Sequence, residues 1–348
     1  MMFIMKMTSV SDVIRQNMYH DYELHAFALE ECYCGHHIDF EHNWPPRNSC
    51  SLRHTTRRQH TARGKVTFKV PNIVHYTWFT SVVDKPFQFH HMLSVLSVDK
   101  YLKPDAIYFH TDQPPTGEYW NRSLQVRNFH VIHRTPSDTV WDVPIRKPLY
   151  ETSASNVERL KILSEHGGIY MDLDYVALRS FDPLRVWPCT VGTEYPGRVC
   201  GGLVLCAKDS PFLYMWLKSY IDDYQPVWAY NTGIVPIHLA KKCPHLVHIE
   251  HTTLHHPNYL TDELGQLLRK STWWKRKNSY GVHLWYRKWK GYLRGRNLNM
   301  TSPDQNLTSI RNLDNPYGEI ARTILFGSPH VISSITPDPA LTHRQSTL

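Results

Sequence analysis

The run S-N-V-E-R-L-K-I-L-S-E-H-G-G-I-Y-M-D-L-D-Y-V-A-L, from Ser155 to Leu178, changes its period halfway along. Val157, Leu160 and Leu163 recur at helical spacing, Ser155 or Asn156 is placed to cap the first turn, and Gly167-Gly168 supplies a left-handed stop. The pattern predicts a helix that ends at the glycines. Ile169 to Met171 then reads as a buried strand that delivers Asp172 and Asp174 to its carboxyl end, where open α/β sheets place their ligands. Residues two apart on an extended chain point to one side, so the two carboxylates are expected together if the chain stays extended. Such a pair can hold a hard divalent cation and leave positions open for phosphate oxygens. A D-x-D triplet alone is a common chance event; its place after a glycine stop and an apolar strand makes it informative.

The same alternation extends outward in both directions. Upstream, V-T-F-K-V-P-N-I-V-H-Y-T-W-F (Val66 to Phe79) and K-P-D-A-I-Y-F-H-T-D (Lys103 to Asp112) have strand character, and Phe89 to Val98 between them looks helical. Strand, helix, strand at this spacing predicts a βαβ unit and an α/β fold with a mostly parallel central sheet. Downstream, Val199 to Cys206 and Leu246 to Glu250 are strand candidates and Phe212 to Tyr220 a helix. Residues 1–64 are irregular and rich in His and Arg, and the chain past Met300 thins into Ser, Thr, Asn and Pro. The expected organisation is an N-terminal extension (1–64), one catalytic domain (65–300) and a C-terminal tail (301–348), with no internal repeat.

Composition narrows the class. The 348 residues carry 39 Lys and Arg against 31 Asp and Glu, a net charge of +8. Ten of the basic residues lie between Arg269 and Arg296 with no acid among them, which leaves 29 basic and 31 acidic residues elsewhere. The excess is one local patch, so nucleic acid is not an expected partner. An aromatic content of 12% with only 20% charged residues predicts a folded chain. Apolar runs such as Val199 to Ala207 fall well short of the ~18 to 20 residues that span a bilayer, so no transmembrane segment is expected. The start, M-M-F-I-M-K-M-T, lacks the apolar core of a signal peptide, which implies either a cytosolic chain or a true N-terminus upstream. Seven cysteines without a C-x-x-C pair leave at least one thiol unpaired within the chain and remove zinc-ribbon and thioredoxin readings. Sequons at Asn121, Asn299 and Asn306 matter only in a secretory compartment.

G-G-I-Y-M-D-L-D, together with V-P-N-I-V-H-Y-T-W-F upstream and V-H-L-W downstream, resembles the D-x-D glycosyltransferases that include fungal outer-chain mannosyltransferases and lactosylceramide galactosyltransferases. Glucosylating bacterial toxins are more distant relatives. The likeness runs from about Val70 to Trp289. It implies a Rossmann-like GT-A fold and a hexose moved from UDP- or GDP-sugar, with retained configuration, to a glycan or glycolipid acceptor. It also implies Mn²⁺, with Mg²⁺ as a substitute, and residence in the Golgi lumen through an anchor missing from this sequence.

Carried over residue by residue, the resemblance implies that Asp172 faces the donor ribose and sugar with a water-mediated metal contact. Asp174 is then the direct metal ligand and His283 completes the metal site; imidazole beside carboxylates favours Mn²⁺. Trp78 matches the aromatic that stacks on the base, with core packing as its competing reading. Arg159 matches a donor-sugar ligand in an S-D-x-x-R pattern, but this chain reads S-N-V-E-R, so Asn156 replaces a carboxylate. That departure keeps open a nucleotide-sugar-binding relative with little or no turnover. Gly201 and Gly202 match a turn lining the sugar pocket. Asn231, in N-T-G-I-V-P, matches a loop near donor and acceptor, and Arg287 and Lys288 are placed to share diphosphate charge. No nucleophile declares itself, consistent with front-face attack in enzymes of this type. The competing motif H-L-V-H-I-E-H-T-T-L-H-H, with His245, His248, Glu250, His251, His255 and His256, lacks the H-E-x-x-H of a zinc hydrolase.

Overall fold

A computed structural model describes residues 67–80, 86–145, 153–258, 262–272, 278–286 and 305–332. β-branched and aromatic residues build its central strands, because such side chains fill a pleated surface covered on both faces. The strands are β1 (Ile73–Trp78), β2 (Ala106–Thr111), β3 (Phe129–His133), β4 (Thr139–Val140), β5 (Val143–Pro144), β6 (Gly168–Met171), β7 (Tyr175–Ala177), β8 (Cys189–Tyr195), β9 (Arg198–Cys206), β10 (His248–Glu250) and β11 (Gly281–His283). Seven of them form one sheet in the order β10-β8-β9-β6-β1-β2-β3. All neighbours pair in parallel except β9, which runs against both β6 and β8. The expected α/β fold with a mostly parallel sheet is observed, including the β1-helix-β2 unit.

The helices are α1 (Phe89–Tyr101), α2 (Glu118–Ser123), α3 (Ser153–His166), α4 (Asp182–Arg185), α5 (Pro211–Asp222), α6 (Val235–Lys242), α7 (Glu263–Leu268), α8 (Ser309–Asn312) and α9 (Pro316–Phe326). A π-helical turn, Tyr230–Ile234, leads into α6. The apolar core joins residues of β1, β2, β6 and β7 with Phe89, Met92, Leu93 and Val95 of α1. Small satellite pairs complete the sheet system: β11 lies antiparallel on β7, and β4 on β5.

Helix α3 ends as its sequence predicts, with Gly167 at φ +65 and Gly168 at φ +113. A Cβ at Gly168 would stand 2.6 Å from the carbonyl oxygen of Ile73, so only glycine lets α3 turn into β6 beside β1. The start of α3 differs from expectation. It begins at Ser153, which places Ser155 and Asn156 inside its first turn rather than at a cap.

The chain beyond Met300 also differs from the expected tail across residues 305–332. Asn315 caps α9 by accepting from the Gly318 N–H (2.8 Å), and Tyr317, Ile320, Ala321 and Ile324 are buried in the core. The polar flanks masked one amphipathic turn-and-helix, P-Y-G-E-I-A-R-T-I-L-F. A disulfide joins Cys189 and Cys206, register partners on β8 and β9, Cys243 is also disulfide-bonded, and Cys200 is a buried free thiol. No described helix is long and apolar enough to cross a membrane.

Candidate functional site

Strand β6 ends at Met171 and the chain turns at once. The Tyr175 N–H donates to the Asp172 carbonyl (2.9 Å), so Asp172-Leu173-Asp174 is a tight turn rather than an extended segment. The carboxylates nevertheless converge, by a different route from strand alternation. Because β9 is antiparallel to β6, its first residues run past the end of β6, and the Asp172 N–H donates to the Gly202 carbonyl (2.8 Å). Strand β11 lies on β7 with His283 opposite Tyr175, which brings His283 across 109 residues of sequence to Asp174.

The ligand atoms of Asp172, Asp174 and His283 all lie within 4.8 Å of one another. Space for an ion among them depends on glycine. A Cβ at Gly202 would fall 2.8 Å from Asp172 Oδ2 and 2.9 Å from His283 Cε1. Two carboxylates and an imidazole in this cradle fit a divalent cation of the Mn²⁺ type.

Each carboxylate is held differently. Tyr170 Oη donates to Asp172 Oδ1 (2.8 Å), and Arg159 Nη2 stands 3.4 Å from the same oxygen. Oδ2 of Asp172 carries no hydrogen bond among the described residues, and the side chain is 27% exposed. Tyr170 is itself fixed through Thr77 Oγ1 (3.1 Å), which is 3.1 Å from Ser155 Oγ. Period-two spacing puts Tyr170 on the Asp172 face of the strand, a signal in the sequence that would have located it.

Asp174 is wrapped by the V-H-L-W segment. Its Oδ1 is 3.1 Å from His283 Nε2, its Oδ2 accepts from the Tyr286 N–H (3.0 Å), and its carbonyl accepts from the Leu284 N–H (2.8 Å). Burial alone would raise the Asp174 carboxyl, but the charge and hydrogen bond of His283 outweigh it and hold it well below the usual carboxylate range. Burial would likewise lower His283, yet the Asp174 carboxylate raises it well above an ordinary imidazole. The His283 ring stacks on Trp285 with centroids 3.9 Å apart, and Trp285 Nε1 donates to the Pro257 carbonyl (2.7 Å).

Arg159 joins the same cluster, donating through Nη1 to the Gly201 carbonyl (2.5 Å) and through Nε to the Ser155 carbonyl (3.2 Å). Its guanidinium lies 4.5 Å from the Tyr170 ring centroid. Asn156, one turn earlier, is half-buried, and its side chain makes no hydrogen bond among the described residues. The structure thus brings together Asp172, Asp174, His283, Arg159, Gly201 and Gly202.

Other expected site residues stand apart. Trp78 is 4% exposed and its ring packs against Phe87, His91 and Phe109, the core reading of that side chain. Asn231 is buried, and its amide bridges Gln225, donating to the carbonyl (2.5 Å) and accepting from the N–H (3.1 Å), so it braces a loop. The histidine-rich segment is dispersed: His248 stacks on Trp187, His251 pairs with Thr193, and His256 with Glu263. Only His255 turns inward, toward His283. In the basic patch, Arg269 pairs with Asp262 and Lys270 with Asp314, while Arg287 and Lys288 lie outside the described residues.

Residues 80–189 match the family described as glycosyltransferase sugar-binding region containing DXD motif. Glucan organizing enzyme 1 of Cryptococcus neoformans var. grubii serotype A is 26% identical over 273 residues, covering 74% of this chain and 71% of that protein. Inositol phosphoceramide mannosyltransferase 3 of Schizosaccharomyces pombe is 33% identical over 82 residues, covering 24% of this chain and 22% of that protein. Among solved structures, the galactosyltransferase LgtC with donor and acceptor sugar analogs aligns over 61% of this chain and 86% of its own, at 15% identity and a TM-score of 0.37. The acidic turn of Asp172 and Asp174 lies inside the matched region. Over residues 80–189 the chain is similar to glycosyltransferases that carry a DXD motif, and its own sheet is mostly parallel.

Proposed function

We propose that the chain is a metal-dependent, retaining hexosyltransferase that uses a UDP- or GDP-hexose and a glycan or glycolipid acceptor. The convergence of Asp172, Asp174 and His283 around the space left by Gly202 supports this reading most strongly. These three residues would hold Mn²⁺, with Mg²⁺ as substitute, and the bound cation would supply Lewis-acid stabilisation of the departing diphosphate. The chain's own residues do the positioning. Tyr170 and Arg159 hold Oδ1 of Asp172 and leave its Oδ2 toward the space beside Gly202, and the Tyr286 N–H fixes Asp174. The carbonyls of Gly201 and Gly202 are occupied by Arg159 and Asp172, which makes this stretch of β9 a rigid wall for the donor.

The lipid-linked acceptor named for the Schizosaccharomyces relative supports a glycolipid as one acceptor class. The Cys189–Cys206 disulfide and the exposed sequons Asn121 and Asn306 favour a luminal, Golgi compartment. Asn156 in place of a carboxylate supports the second reading, a nucleotide-sugar-binding relative with weak turnover. Hydrolysis assays with Mn²⁺ across a panel of nucleotide sugars separate the two: the enzyme releases nucleotide, whereas the binding protein is only stabilised by it. Asp174→Asn is expected to abolish release while keeping a cooperative melt, at a lowered temperature because His283 loses its charged partner. Full activity in that variant would remove the assigned role.

A further inference from the structure

Behind the acidic turn lies a second group of potential ligands. Cys200 Sγ, His255 and His283 place one ligand atom each within 4.8 Å of the others, and all three residues are buried. His255 is 3% exposed, yet neither of its ring nitrogens has a hydrogen-bond partner. A buried polar side chain without partners is costly in a native fold unless something absent from the chain satisfies it. The position is built closely: a Cβ at Gly192 would overlap the His255 ring. Cys200 Sγ is 3.8 Å from His283 Nδ1 and accepts from the Gly202 N–H (3.3 Å). A thiolate and an imidazole nitrogen on one tetrahedral zinc stand roughly 3.5 Å apart, given bonds of about 2.3 and 2.0 Å.

We propose that Cys200, His255 and His283 form a second metal site, selective for Zn²⁺ over the harder ion expected at Asp172 and Asp174. Thiolate and imidazole ligands suit zinc, whereas carboxylates suit the other ion. On binding, the Cys200 thiol and the Nδ1 of the protonated His283 ring each release a proton to solvent, and the ion takes Sγ with one nitrogen from each histidine; no group changes oxidation state. His283 stands between the two sites, Nδ1 toward Cys200 and Nε2 toward Asp174. With zinc on Nδ1, the remaining Nε2 proton points at Asp174 and denies that nitrogen to the other ion. Zinc is therefore an inhibitor of metal-activated transfer, a consequence that rests on the function proposed above.

Co²⁺, a spectroscopic substitute for Zn²⁺, tests the site without reference to activity. The full chain is expected to develop a sulfur-to-cobalt charge-transfer band that Zn²⁺ erases. The band is expected to persist in Asp172→Asn and to vanish in Cys200→Ser and in His255→Gln, with Zn²⁺ affinity falling by more than about tenfold in each. No band in the wild type, or a band that survives Cys200→Ser, overturns the proposal. If Cys200→Ser loses its cooperative melt, Cys200→Ala and His255→Gln give the same reading. In activity assays, Cys200→Ser should keep Mn²⁺-activated turnover and lose inhibition by Zn²⁺. A wild-type chain that shows the band but no turnover with any nucleotide sugar overturns the transferase reading and supports the metal site.

Discussion

Gly202 illustrates how one residue without a side chain sets the chemistry of its neighbours. Its carbonyl anchors the Asp172 backbone, its N–H reaches Cys200, and its missing Cβ leaves room between Asp172 and His283. Gly202→Ala is expected to reduce metal-activated turnover by at least about 100-fold, because misplacing reacting or binding groups by an ångström costs that much. The fold should survive, since Gly202 needs no left-handed conformation. Metal titration followed by melting and activity assays checks this; an active alanine variant would show that the space is not needed. The sequence identified both aspartates and His283 as residue types suited to a metal. Cys200 did not stand out, because a lone cysteine in an apolar strand carries no local pattern, and His255 appeared only as one of five histidines in a segment without H-E-x-x-H.

At the scale of elements, the join between α3, β1 and β2 rests on buried imidazoles. The Gly167 carbonyl can only accept, so His75 Nε2 carries the proton in their 2.9 Å contact, and His75 Nδ1 then accepts from His110 Nε2 (3.1 Å). Both rings are neutral in the fold. Burial lowers His75 from 6.5 to about 4 and His110 to about 3. The folded state thus binds fewer protons than the unfolded chain below the ordinary histidine value. Stability is complete above pH 6.5 and is lost as pH falls toward 4, by roughly 3 kcal/mol for His75 alone. Melting measured from pH 7 to pH 4.5 should fall steeply in the wild type and less steeply in His75→Gln. Equal slopes would show that His75 is not the acid-sensitive group. The elements themselves were legible, because glycine stops and apolar periods are local signals. Their pairing was not: β8 and the reversal of β9 depend on which edge is free when the chain returns to the sheet.

At the scale of the molecule, α9 shares the apolar core of the sheet and α1. It packs onto α1, and Arg322, 1% exposed, donates to the carbonyls of Ile310, Leu313 and Pro329, tying the last described segment together. Ile320, 3% exposed, sits in the shared core. Ile320→Ala should cost roughly 2–4 kcal/mol in chemical denaturation, the usual cost of a cavity in a packed interior. A change within a few tenths would return this region to the expected tail. The domain we propose therefore runs past residue 300 and includes 305–332.

The sequence by itself determined the acidic motif and the order of the parts around it: a helix stopped by glycines, a strand, and two acids at the sheet's carboxyl edge. Those features are written in neighbouring residues, where backbone preference and side-chain period act. Only the tertiary structure decided that Asp172 and Asp174 meet across a turn, that Tyr170 and Arg159 orient one and Tyr286 the other, and that His283 faces Cys200 as well as Asp174. The partners of that last contact are 83 and 109 residues from His283. Contacts over such distances are set by strand order and by how loops close over the sheet, and no local pattern encodes either.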